Sequence, residues 1–286
     1  MRGTATCGAR VRAYLELPHP TAILLVMGAT AVVGLLASRG RPNPVRYGLL
    51  LAAMLAGQIA VGALNEYCDR DLDTIGNPSK PIPAGLVGAG TALGIALGAL
   101  GVMLVAGALL GRRSLLLLSL ANGSGLVYDL WLKRTRLSWL PYLVALPLVP
   151  IWAWDSLARP EPRLLLLYPL GAPLVVAVHL AQSLPDVESD RAAGAGGLAA
   201  RLGRSRAFVL CWCAAAVAAL AVGAAAIFLA RDRLPALGAA GAVLLALLGV
   251  LGLRRAAPGR VERHLFTLLG ACAVVLGTGW ILAVAG

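Results

Sequence analysis

Residues 47–73 read YGLLLAAMLAGQIAVGALNEYCDRDLD. The stretch from 47 to 65 is uncharged and apolar, and at 1.5 Å per helical residue about 20 such residues cross a bilayer. Its inner end then turns acidic on helical phase. Each four-residue step turns 400°, so Asn65, Asp69 and Asp73 stack on one face about 6 Å apart. Carboxylates at a membrane boundary are costly without a partner, which marks this stack as a functional candidate. Asp71 lies about 200° away from its neighbours and reads as a solvated side chain.

The remainder of the chain repeats the apolar half of that pattern. Of 286 residues, 59% are hydrophobic and 13% charged, with a mean hydropathy of +0.82. A water-soluble domain carries about a quarter charged residues, so soluble, disordered, collagenous and coiled-coil classes are excluded. Apolar runs separated by charges, Pro or Gly predict nine spans, near 19–38, 47–65, 86–110, 114–132, 138–154, 164–184, 207–230, 234–253 and 264–285. The fifth is short and carries Pro141, Pro147 and Pro150. The expected fold is an all-α polytopic membrane protein, one transmembrane domain over 1–286.

The formal charge of +12 is read as membrane orientation rather than nucleic-acid binding. With the N-terminus inside, roughly two thirds of the basic residues fall on cytoplasmic segments, which predicts an outside C-terminus. Arg2, Arg10 and Arg12 precede an apolar stretch in the manner of a signal peptide. No small-residue cleavage site follows, so that stretch reads as the first span. The five cysteines lack metal-ligand spacing, and Cys211 and Cys213 point about 200° apart on a helix.

A second acidic motif, Asp186-Val-Glu-Ser-Asp190, follows the sixth span. An even number of crossings separates the motifs, so both are predicted on one side of the membrane. Pro185 breaks the helix just before the motif, and Glu188 reads as solvated. Basic residues converge on the same side: Lys80, Lys133 with Arg134 after Tyr128, and Arg191. Oxygen-rich acids with a nearby amide suit Mg²⁺. Two like charges 4 Å apart repel by about 4 kcal/mol at an effective dielectric of 20, so an anionic substrate among these acids needs cations between. Mg²⁺ bridging carboxylate to phosphate, with Lys and Arg on the outer oxygens, resolves that conflict.

Asn-x3-Asp-x3-Asp, a downstream Asp-x3-Asp, and Lys80-Pro-Ile-Pro-Ala-Gly85 together resemble the UbiA-type intramembrane prenyltransferases. The resemblance implies that Asn65, Asp69, Asp73, Asp186 and Asp190 hold Mg²⁺-diphosphate, the four aspartates being the catalytic set. It also implies diphosphate contacts for Lys80, Tyr128 and Lys133, with Arg134 and Arg191 alongside. The implied bundle has a central cavity opening at the cytoplasmic side. The implied partners are a prenyl diphosphate, a lipophilic, aromatic acceptor, and the lipid bilayer. Three positions depart from the pattern. Glu66 stands where many members have Asp, Lys80 where Arg is common, and Tyr128 to Lys133 is Tyr-x4-Lys where some have Tyr-x3-Lys.

Candidate acceptor contacts are Gln58, seven residues deeper than Asn65; Asn122 and Asp129, also seven apart; and His179 and Gln182 before Asp186. For His179 the competing reading is a hydrogen-bonded bundle residue. His19 and His264 are expected at headgroups, and Trp139, Trp152 and Trp154 in an interfacial belt. Three alternatives to aromatic prenyl transfer stay open: a terpene cyclase, a non-aromatic acceptor, and a cation-coupled transporter.

Overall fold

The computed structural model describes residues 6–185, 187–192, 197–256 and 258–285. Among them there are helices and no strands, and nine helical segments are long and apolar enough to cross a membrane. A short helix α1 (Cys7–Glu16) precedes four long ones: α2 (Pro20–Ala37), α3 (Pro44–Gly76), α4 (Ala89–Leu110) and α5 (Arg112–Val127). A π-helical turn, Tyr128–Leu132, extends α5. Then come α6 (Leu140–Leu157), a 3₁₀ turn Pro162–Leu166, and α7 (Leu167–Ser183). Two short helices, α8 (Val187–Ala192) and α9 (Leu198–Leu202), lead into α10 (Arg204–Leu229), α11 (Leu234–Ala256) and α12 (Pro258–Ala285).

The nine spans lie where the apolar runs predict them, including the proline-rich fifth, which forms a continuous α6 with Pro147 and Pro150 inside it. The main difference is length. α3 runs for 33 residues, about 50 Å, well beyond the ~30 Å hydrocarbon core. Its start is set by Asn43, whose Oδ1 accepts from Val45 N and Arg46 N at 3.1 Å each, with Pro44 in the first turn. The acidic motif therefore rides on a rigid extension of a span. Beyond Gly76 the chain folds back through 81–87, with Leu86 N and Val87 N both donating to Pro81 O. That return carries Lys80 onto α3.

Exposure follows the phase arguments. The Asp71 side chain is 84% exposed and Glu188 is exposed, while Cys211 is buried and Cys213 exposed. Trp152 departs from the expected belt. It is fully buried and its Nε1 donates to Ser114 Oγ at 2.8 Å. Trp154, also buried, donates to Arg159 O at 3.0 Å. Both serve as helix clasps.

Between the helices lies a cavity of about 330 Å³. Its walls come from α2, α3, α5, α6, α7 and α12, with Val222 from α10, and they are mostly Leu, Val, Ala, Gly and Pro. Polar residues concentrate at one end: His19, Asn65, Tyr128, Asp129, Tyr142 and Gln182, with Gln58 and Asn122 a little deeper and Thr278 on α12.

Candidate active site

That polar end abuts a rim of paired charges built on α3. Glu66, Asp69 and Asp73 are buried there, at 2%, 7% and 7% exposure. Lys80 Nζ bonds Asp73 Oδ2 at 2.9 Å and Glu66 Oε1 at 3.0 Å. Lys133 bonds Asp69, and Arg134 Nη2 stands 3.9 Å from the other Asp69 oxygen. Asn65 Nδ2 donates to Asp129 Oδ1 at 2.7 Å. Lys80 and Lys133 are the only two lysines in the chain, and both are spent on this rim.

These pairings set the charge states. Burial opposes the positive charge on Lys133, but the Asp69 carboxylate outweighs it and holds the ammonium above the ordinary lysine range. Burial likewise opposes Lys80, where the bond to Asp73 and the charge of Glu66 win and raise it. Both stay protonated at neutral pH. Among the described residues four buried carboxylates, counting Asp129, face three cations, so these rim residues show no surplus positive charge for a multiply charged anion.

The turn after α5 answers the Tyr-x4-Lys departure. In an unbroken α-helix, Lys133 would point about 140° away from Tyr128. Instead Lys133 N donates to Tyr128 O at 2.9 Å, an i→i+5 bond that closes a π turn. The wider turn absorbs one residue and returns Lys133 over the Tyr128 ring, with Nζ 6.0 Å from the centroid. Single π turns occur often at functional sites. Tyr128 in turn packs edge-on against Tyr142, with centroids 5.2 Å apart.

His19 differs from its expected headgroup position. It lines the cavity, with Nε2 donating to Asn65 Oδ1 at 3.3 Å and lying 3.5 Å from Glu66. Pro18 and Pro20 bracket it, and its φ of 56° is the left-handed conformation that ends α1 and begins α2. Gly62 admits it: a Cβ there would stand 2.7 Å from the Pro18 backbone. Withdrawal from water lowers the His19 pKa; Glu66 pulls it up and Lys80 pushes it down, and the net shift is downward.

Among the other candidates, Gln58, Asn122, Asp129 and Gln182 line the cavity. Asn122 packs against Gly57, where a Cβ would meet its Oδ1 at 2.4 Å. His179 is buried behind the aromatic wall, 4.8 Å from the Tyr142 ring, and bonds Ser138 Oγ at 3.0 Å. Arg191 is exposed, with Nη1 near Gly203. Asp186 and the Asp190 side chain lie outside the described residues. The chain just beyond them returns to this end of the bundle. Leu198 N donates to Ser138 Oγ at 3.3 Å, and Gly197 packs against the Lys133 carbonyl.

Sequence reading passed over Glu66 as a site residue, along with Ser138 and Tyr142. Glu66 was within reach, because it precedes Asp73 by seven residues and so shares its face. Ser138 and Tyr142 carry no local signal.

The residues present fit a divalent cation. Asn65, Asp69 and Asp73 are hard oxygen donors stacked on one face, and buried Glu66 Oε2 has no hydrogen-bond donor among the described residues. No cluster of three or more His, Cys, Asp or Glu side chains close enough to hold a metal is present among the described residues; lysines stand between the carboxylates instead.

Among the described residues, nine spans surround an apolar cavity whose polar end carries a rim of paired charges. The UbiA prenyltransferase family profile matches residues 25–271. A digeranylgeranylglyceryl phosphate synthase from Methanoregula boonei is 33% identical over 226 residues, 74% of this chain and 77% of that one. A protoheme IX farnesyltransferase from Brucella anthropi is 34% identical over 132 residues, 44% of this chain. The match spans 42% of that farnesyltransferase's length. A UbiA homologue from Archaeoglobus fulgidus, solved bound to GPP and Mg²⁺, superposes with a TM-score of 0.72 at 18% identity, over 94% of this chain and 99% of that one. The chain belongs to the UbiA prenyltransferase family.

Proposed function

We propose that this protein transfers a prenyl group from a prenyl diphosphate to a lipophilic acceptor within the membrane, with Mg²⁺ as cofactor. The observation that carries the reading is the junction at Asn65 and Asp129, where the charged rim meets the apolar cavity. A prenyl diphosphate has that division: an anionic head and a hydrocarbon tail.

Asn65, Asp69 and Asp73, with Asp186 and Asp190, would hold the metal. When bound, Mg²⁺ supplies the charge that stabilises diphosphate as the allylic carbon–oxygen bond ionises. Lys80, Lys133 and Arg134 exchange their carboxylate partners for phosphate oxygens, and Arg191 adds a further donor at the same end. Tyr128 and Tyr142 present ring faces and edges to the mouth of the cavity, where an allylic cation is favoured by the negative ring face. The Leu, Val and Ala walls keep water from the cation, which water would quench to an alcohol. The acceptor attacks from the cavity, and no covalent enzyme intermediate is required.

The positive-inside asymmetry supports a cytoplasmic N-terminus and rim, with the C-terminus outside. An aromatic acceptor is the class the family pattern favours. The test is diphosphate release from purified protein with geranyl diphosphate and a panel of acceptors. Release should vanish on chelation of divalent metals and return with Mg²⁺. Undiminished release after chelation, or release that never depends on an acceptor, defeats prenyl transfer by this route.

A further inference from the structure

Ser138 is 1% exposed and does not line the cavity, yet its hydroxyl joins three elements. Oγ bonds His179 Nε2 on α7 at 3.0 Å. It also accepts from Leu198 N, the first residue of α9, at 3.3 Å. His179 Nδ1 has no partner, so Ser138 is the ring's one hydrogen-bond partner among the described residues. On its own element Ser138 is tied back to Lys133 by a run of turns. Lys133 N donates to Tyr128 O at 2.9 Å, Thr135 N to Leu132 O at 3.0 Å, and Ser138 N to Thr135 O at 3.2 Å.

Two further approaches close the same junction. A Cβ on Gly197, just before α9, would stand 3.3 Å from the Lys133 carbonyl oxygen. At the other end of α9, a Cβ on Gly203 would stand 3.6 Å from Arg191 Nη1. The short helix thus reaches from the Lys133 turn to Arg191, and one buried hydroxyl fixes where it begins. Removing that hydroxyl strips a partner from both Leu198 N and His179, so the junction loses its register rather than only a contact.

Building on the transfer reading above, we propose that Ser138 is a positioning residue for the diphosphate grip: its hydroxyl latches the start of α9 to α7 and to the Lys133 turn, and so keeps Lys133 and Arg191 at one end of the cavity. Ser138 touches no substrate in this role; it acts through the two basic side chains.

The test follows diphosphate release against geranyl diphosphate concentration at saturating Mg²⁺, with amide hydrogen exchange on the same full-length protein in proteoliposomes. Ser138→Ala should raise the KM for geranyl diphosphate about tenfold, the scale of one lost hydrogen bond, and leave kcat within about threefold. Exchange across 198–203 should quicken alongside. A hydroxyl that served packing alone would lower Tm and leave KM of the folded protein unchanged. Should Ser138→Ala fail to fold, Gly197→Ala carries the test. The backbone there, φ −56° and ψ 157°, accepts alanine, and the added methyl presses α9 off the Lys133 turn with the Ser138 hydroxyl intact. It should raise KM in the same direction.

Unchanged exchange overturns the latch, and so does faster exchange with KM unmoved. A fall in kcat with KM unmoved overturns it too, since the effect would then lie in the chemical step. If the wild type releases no diphosphate, prenyl transfer falls, and the latch is read from equilibrium affinity for geranyl diphosphate. About tenfold weaker binding by Ser138→Ala then supports it, and equal binding overturns it.

Discussion

The two ends of the bundle both bury polar side chains, and they use them differently. At the end away from the rim, Arg46 Nη2 donates to Leu110 O at 3.1 Å and Ser156 O at 2.7 Å, closing the last turns of α4 and α6. Ser114 and Ser156 share a 2.9 Å bond that Trp152 extends, and Trp280 donates to Arg163 O at 3.1 Å. These groups mostly satisfy backbone carbonyls and neutral hydroxyls, which no soluble ligand competes for. At the rim end the partners are side-chain charges on separate elements: Asp69 on α3 with Lys133 after the π turn, and Asp73 with Lys80 on the return loop. A charge pair can be exchanged for another charge, whereas a capped helix end cannot. The far end does hold separate ion pairs, Arg113 with Asp155 at 2.9 Å and Arg231 with Glu161 at 3.6 Å; what sets the rim apart is that several pairs converge there beside the polar mouth of the cavity.

Substitutions at the two ends put that contrast at risk. Asp69→Ala should carry the largest effect, a loss of diphosphate release by roughly a hundredfold to a thousandfold, the usual scale for removing a preorganised electrostatic group. Circular dichroism should be unchanged; retained activity would reduce the rim to another clasp. Gly62→Ala comes next. Its Cβ would stand 2.7 Å from the Pro18 backbone, so the segment holding His19 must move, costing about 1–3 kcal/mol of stability. Turnover should fall about tenfold with it, and a stable variant with full turnover would show that His19 need not touch Asn65.

Arg46→Ala should act on stability alone. Losing two charge-assisted bonds costs about 1.5–3 kcal/mol, a fall of several degrees in Tm, with specific activity of the folded fraction unchanged. The smallest effect is expected from deleting Leu130, which is 51% exposed. The deletion makes the spacing Tyr-x3-Lys, which an ordinary α-turn places on one face. Activity should stay within about threefold; a loss as large as that of Asp69→Ala would mean the π turn positions more than Lys133.

Much of this architecture was legible along the chain, for reasons that differ residue by residue. The spans are set by local hydropathy, which is why even α6, with two internal prolines, lies within a few residues of its predicted range. Asn65, Asp69 and Asp73 share a face because helical phase depends only on spacing. His19 was misread because a histidine between two prolines at a membrane end has no local feature distinguishing headgroup from cavity; the approach of Pro18 to Gly62 decides it. Trp152 was misread for a similar reason, since its partner Ser114 is 38 residues away.

Hydrophobic length, helical phase and the placement of acids are properties of neighbouring residues, and they alone determined a nine-span helical protein with an acidic stack on its second span. Which lysine meets which carboxylate, the π turn that brings Lys133 back over Tyr128, and the bond from Asn65 to Asp129 were decided only when α3 and α5 packed together. Those features rest on contacts between helices tens of residues apart, where hydrogen-bond register and close packing, rather than residue type, select the partner.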